Sequence, residues 1–80
     1  MEEKEIREKV NKVIVEKLGV DKEKITNDSR YVEDLGADSL ALVDIAMALE
    51  DEFGMKIPDE DIEKITTVGS TIQYIKEHIK

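Results

Sequence analysis

Apolar residues along this chain recur at three- and four-residue spacings, and no stretch alternates as a half-buried strand would. Ile6, Val10, Val13, Ile14 and Leu18 share one face of a helix predicted over residues 3–18, with Glu and Lys, both good helix formers, in most other positions. Gly19 follows the last periodic residue and ends that helix. Residues 19–38 have no period and predict a long connection. Val20, Ile25, Val32 and Leu35 are its candidate anchors to the core, and Asn27-Asp28-Ser29 is turn chemistry. A second helix over residues 39–53 has two apolar faces. Leu42, Ile45, Ala46, Leu49 and Phe53 make a core stripe, while Leu40, Val43 and Met47 make another that starts beside Ser39. That second stripe either widens the core face or lies exposed as a contact surface with Asp44 beside it, and the pattern alone does not choose. Gly54 ends this helix, and Ile57-Pro58-Asp59-Glu60-Asp61 opens a short third one, with proline and acids at its positive end. Thr66-Thr67 caps a last helix that carries Val68, Ile72, Ile75 and Ile79 on one side. The expected fold is all-α: a small four-helix bundle with a long loop between helices 1 and 2 and a short third helix, forming one domain over residues 1–80.

Composition narrows the function more than the fold. A chain of 80 residues buries only about 60% of the surface it exposes when unfolded, so its core has little to spare. There is no cysteine, hence neither a disulfide framework nor a thiolate metal site. The longest apolar run, Leu40-Ala41-Leu42-Val43, is too short to cross a bilayer, and the acidic start Glu2-Glu3-Lys4-Glu5 is unlike a signal peptide. The chain reads as a soluble, cytoplasmic monomer. Its net charge of −8 is concentrated: residues 28–63 hold twelve acids against Arg30 and Lys56, whereas residues 1–27 balance seven acids with seven bases. Such a field repels nucleic acid and anionic membrane and attracts basic protein surfaces.

Catalytic chemistry is thin. Nucleophilic catalysis needs a base next to the nucleophile, and the lone histidine, His78, lies in a lysine-bearing terminal turn, where helices fray. Gly36-Ala37-Asp38-Ser39-Leu40 lacks the second glycine of a nucleophile elbow. An EF-hand loop starting at Asp59 would place Lys64 and Ser70 where glycine and glutamate are required, so no metal site is expected. On physical grounds Ser39 is either a helix cap worth about 1 kcal/mol or a point of attachment.

The string Leu35-Gly36-Ala37-Asp38-Ser39-Leu40 resembles the prosthetic-group attachment motif of the acyl carrier proteins. Met47-Ala48-Leu49-Glu50-Asp51-Glu52-Phe53, then Ile57-Pro58-Asp59-Glu60-Asp61 and Ile65-Thr66-Thr67-Val68, follow at the family's distances, and Leu18-Gly19-Val20 and Asp28-Ser29 extend the likeness. The resemblance implies that Ser39 carries 4′-phosphopantetheine, added from coenzyme A by a Mg²⁺-dependent phosphopantetheinyl transferase. The arm's thiol would hold acyl groups as thioesters for fatty-acid synthesis enzymes that present basic docking patches. It further implies that Asp38, Leu40, Val43, Asp44, Met47, Glu50 and Asp51 form the recognition surface, extended by Asp59, Glu60 and Asp61. Leu49, Ile57, Ile62 and Ile65 would line an acyl cavity, with Phe53 more simply core. Fatty-acid-type members mostly carry an acid two places after the serine, where this chain has Ala41. The alternatives are a carrier for a polyketide or other specialised pathway, and an acidic helical interaction module without a prosthetic group.

Overall fold

The structure, a computed structural model, describes residues 2–79. Three α-helices form where the periodicity places them: α1 Glu3–Leu18, α2 Ser39–Phe53 and α3 Val68–His78. A six-residue 3₁₀ segment, Asp59–Lys64, is the short fourth member, and a 3₁₀ turn at Lys22–Lys24 interrupts the long loop. Among the described residues no strand forms; Arg30 and Thr67 make one isolated antiparallel bridge. The domain is an all-α bundle, as the spacing predicts.

α1 buries Ile6, Val10, Val13 and Ile14 and packs on both α2 and α3. α2 contributes Ile45, Ala46 and Leu49 to the core, and α3 contributes Val68, Thr71, Ile72, Tyr74 and Ile75. α2 and α3 do not approach each other closely along their backbones; α1 and the 3₁₀ segment each touch both of them. α3 starts with a reciprocal cap, in which Thr67 Oγ1 accepts the Ser70 N–H and Ser70 Oγ accepts the Thr67 N–H, each at 3.1 Å. Ile79 falls just past the end of α3 yet still packs, partly buried, against the core. The short member is 3₁₀ because six residues after Pro58 are too few to nucleate an α-helix. It closes instead with bonds from Asp61 N–H to Pro58 O (2.8 Å) and from Ile65 N–H to Ile62 O (3.2 Å).

The loop is anchored differently from the expectation. Val20, Ile25 and Leu35 pack partly buried against the core, but Val32 stands 54% exposed. Tyr31 takes its place, with its ring fully buried and its hydroxyl bonded to Thr71 Oγ1. The cause is a short ladder. Gly69 N–H donates to Asn27 O (2.8 Å), Val68 N–H to Ser29 O (3.0 Å) and Tyr31 N–H to Thr66 O (3.1 Å), which lays the loop along the start of α3. In that bridged register Tyr31 turns inward and Val32 outward. A tyrosine ring also buries more apolar area than a valine and finds a partner for its polar tip. Burial pushes the Tyr31 phenol well above its ordinary pKa, against a smaller opposing effect of the Thr71 bond.

Two predictions follow from this packing. A Cβ on Gly69 would lie 2.9 Å from the backbone oxygen of Asn27. In an open helix Gly→Ala stabilises, but Gly69→Ala should cost about 1–3 kcal/mol by overpacking. Urea unfolding measures this, and a variant as stable as the parent would mean that the loop does not lie against α3. Second, Tyr74 OH donates to Asp61 Oδ2 at 2.6 Å and, with Lys64, holds the Asp61 carboxyl below its ordinary value of 3.8. Burial, and then Asp61 itself, push Tyr74 up to about 12. A carboxyl whose pKa is lower in the folded state stabilises above its unfolded value and stops doing so as pH falls through the folded one. Tyr74→Phe should therefore flatten the decline in stability below about pH 4 and raise the Asp61 pKa seen in a carboxyl NMR titration.

Candidate functional site

The approach to α2 is fixed by the loop's own polar groups. Asp34 Oδ2 accepts the Arg30 N–H at 2.9 Å, and that bond, followed by the Arg30 side chain, holds the Asp34 carboxyl below the usual range. Ala37 N–H donates to Tyr31 O at 2.8 Å, and Ala37 is buried. Between them Gly36 adopts φ = 74°, a left-handed conformation that would strain a residue with a Cβ by about 1–2 kcal/mol.

Asp38, not Ser39, is the N-cap of α2. It sits in extended backbone, its Oδ1 accepts the Ala41 N–H at 2.7 Å, and its carbonyl accepts the Leu42 N–H at 3.0 Å. The cap reading of Ser39 is thereby corrected. Either residue type can cap a helix, and the backbone decides for the first of the two. Ser39 becomes the first helical residue, exposed, with its hydroxyl in no hydrogen bond among the described residues. Asp38 occupies the third N–H of the first turn, which leaves those of Ser39 and Leu40 directed out of the helix end.

The second stripe of α2 lies in solvent rather than widening the core. Leu40 is 77% exposed, Met47 58% and Val43 39%. Asp44 and Asp51 flank it, exposed and in no ion pair among the described residues. Glu50 is different: it is half-buried, and its Oε2 accepts the Ile57 N–H at 2.8 Å, which secures the turn after α2. Asp61 likewise has an internal task, whereas Asp59 and Glu60 are exposed. Ala41 is half-buried against the core, so the acid missing there is missing from the edge of the face and not from its centre.

Leu49, Ile57 and Ile65 are buried and Ile62 partly so, all packed as core together with Phe53. A cavity of about 290 Å³ opens elsewhere, one helical turn along α2 from Ser39. Tyr31, Val32, Leu42 and Thr66 line it, with Arg30 and Glu33. Periodicity could not reveal Tyr31 or Thr66, since neither belongs to a regular element. His78 closes α3 with its ring stacked on Tyr74 (centroids 4.0 Å apart) and its Nδ1 2.8 Å from Tyr74 O, remote in sequence from the serine. Among the described residues no cluster of potential metal ligands forms, and no helix is long and apolar enough to cross a membrane.

An all-α bundle that presents an unengaged serine hydroxyl at a helix start, beside an exposed apolar stripe flanked by acids, has the form of a carrier domain. The sequence model described as "Phosphopantetheine attachment site" matches residues 8–75, and the chain belongs to that family. It is a non-catalytic, phosphopantetheine-binding carrier domain, which tells against a simple interaction module without a prosthetic group.

Removing the cap tests this local geometry. Asp38→Ala should cost about 1 kcal/mol and Asp38→Asn only a few tenths, because asparagine also accepts the Ala41 N–H. Thermal melts of the two variants compare them. Salt or Mg²⁺ should also raise the melting temperature of the parent by screening the acids of residues 28–63, and a flat response would show that they do not crowd one another.

Proposed function

We propose that Ser39 Oγ is the attachment point of 4′-phosphopantetheine, and that this chain is a cytoplasmic acyl carrier serving fatty-acid synthesis. The observation that carries the reading is the exposed Ser39 hydroxyl, without a partner at the first position of α2. The residues fit the group. A phosphodiester on Ser39 meets the outward N–H groups of Ser39 and Leu40 and the positive end of a 15-residue helix, worth about 0.3–1 kcal/mol when exposed. When bound, the group supplies a thiol, a function that a chain without cysteine lacks.

The remaining work belongs to the protein surface. Leu40, Val43 and Met47 offer apolar contact to a loading transferase or a synthesis enzyme, and Asp44 and Asp51 steer basic patches toward it. Charge of this kind speeds encounter and fixes orientation more than it tightens the complex, which suits a shuttle that must leave each partner. Asp38 and Glu50 add to the field while their oxygens hold backbone N–H groups, so their replacement mixes docking with structure. An acyl chain would enter beside Leu42 and part the side chains of Leu49, Ile57, Ile62 and Ile65. The space between α2 and α3 is spanned by intermediaries and not by direct backbone contact, which favours such opening.

Incubation with coenzyme A, Mg²⁺ and a broad-specificity phosphopantetheinyl transferase should add the mass of the arm to the parent and nothing to Ser39→Ala. An unmodified parent, tried with several transferases, would overturn the reading. Asp44→Lys with Asp51→Lys should slow loading about tenfold at low salt, with little difference left at high salt.

A further inference from the structure

The chain holds no cysteine, so before any arm is attached its sulfur atoms are those of three methionines. They are not equivalent. Met47 is 58% exposed in the apolar stripe of α2, whereas Met55 is half-buried and packs against the core, and Met1 lies outside the described residues. Access governs how readily a thioether is oxidised, which puts position 47 ahead of position 55. The neighbours of Met47 determine what an added oxygen would meet. Val43, Asp44, Glu50 and Asp51 stand three and four places from it along α2, one helical turn to either side. Ionised carboxylates are acceptors only, valine has no polar group, and the N–H groups of a helix interior are committed to its own ladder. A sulfoxide oxygen, itself an acceptor, therefore finds no donor within a turn on this helix and depends on water.

We propose that Met47 is an oxidation switch for docking, in which hydrogen peroxide converts its thioether to the sulfoxide and so weakens engagement by the enzymes that load and use the carrier. The inference rests on the carrier reading above and adds to it a regulation of the docking face. The sulfur lone pair takes one peroxide oxygen as the O–O bond breaks. The other oxygen leaves as hydroxide and receives the proton of the transferred one, so water is released, the sulfur is oxidised by two electrons and the peroxide reduced by two. Unmodified Met47 offers a flexible apolar contact beside Val43. After oxidation, a partner surface shaped for an apolar side chain strips water from a strong acceptor and gives it no donor in return. Met47 is no part of the packed core, so the fold survives the change. Methionine sulfoxide reductases, with a thiol as electron donor, return the thioether and make the switch reversible.

The test uses the full-length chain before its arm is attached, so that no thiol competes for the oxidant. The parent, Met47→Leu and Met55→Leu are treated with hydrogen peroxide, which catalase then removes, and peptide mapping by mass gives the sulfoxide fraction at each methionine. Each protein is then loaded from coenzyme A by a phosphopantetheinyl transferase and compared with its own untreated sample. In the parent and in Met55→Leu, position 47 should be oxidised first, and kcat/KM for loading should fall about tenfold as it fills. The melting temperature should stay where it was. Reductases of both stereospecificities should restore the rate. In Met47→Leu the treated and untreated rates should agree. Oxidation no faster at position 47 than at position 55, an unchanged rate once position 47 is fully oxidised, or an equal loss in Met47→Leu overturns the switch and leaves the carrier reading intact. Failure of the untreated parent to gain the arm's mass, tried with several transferases, overturns both. Should Met47→Leu not fold, recovery of the oxidised parent by the reductases carries the comparison, and no recovery as the sulfoxide at position 47 disappears overturns the switch.

Discussion

Three backbone hydrogen bonds that lay Asn27, Ser29 and Tyr31 against Thr66, Val68 and Gly69 determine how the rest of this molecule is arranged. α2 and α3 have no close backbone contact of their own, so their relative placement depends on α1, on the 3₁₀ segment, and on this seam. It commits Tyr31 to the core, and Tyr31 O in turn receives the Ala37 N–H two residues before Ser39. The long loop is therefore a strut. Its register against α3 carries through Tyr31, Ala37 and Asp38 to the start of α2. Only at Gly69, where no Cβ intervenes, can the loop come this close.

Helices were legible in the sequence because period is a property of neighbours in the chain. α1, α2 and α3 appear within a residue or so of the expected positions, and the core stripes Ile6–Leu18 and Leu42–Phe53 face inward as their spacing requires. What stayed open is what period cannot encode. The angles between Leu40, Val43 and Met47 follow from helix geometry, but whether a neighbour covers that side does not, and here none does. Inside the loop nothing distinguished Val32 from Tyr31, because an irregular segment has no period. A long-range backbone pairing chose between them. Asp38 and Ser39 are equally competent caps, and the extended backbone at Asp38 settled which one the helix uses. Ser39 was visible as part of a string of residue types, while the freedom of its hydroxyl was not.

The acids of residues 28–63 look alike in sequence and divide by task in three dimensions. Asp34, Asp38, Glu50 and Asp61 each accept a hydrogen bond within the fold, whereas Asp44, Asp51, Asp59 and Glu60 face solvent. Arg30, one of the two bases in the segment, pairs with Glu33 and Asp34 and so cancels little of the field around α2. Structural acids and free acids thus reinforce one another electrostatically. The first group shapes the surface and the second supplies charge that a basic partner can reach. Substituting a member of the first group changes both at once, so charge and geometry are separable at Asp44, Asp51, Asp59 and Glu60 and not at the four that hold the fold.

A carrier has to be stiff where other proteins handle it and compliant where its cargo goes, and the distribution of polar contacts in this core reconciles the two. Two directional side-chain hydrogen bonds tie α3 to its neighbours, Tyr31–Thr71 to the long loop and Tyr74–Asp61 to the 3₁₀ segment. The contacts of Leu49, Ile57, Ile62 and Ile65 are apolar, and the described hydrogen bonds at these residues involve main-chain N–H groups rather than their side chains. Apolar contacts lose energy gradually as surfaces separate, and an acyl chain entering there, as proposed above, would restore them with its own methylenes. Polar rungs fail all at once and nothing in an acyl chain can replace them. The region that yields most easily is then the apolar one, while the rungs hold the loop and the 3₁₀ segment against α3.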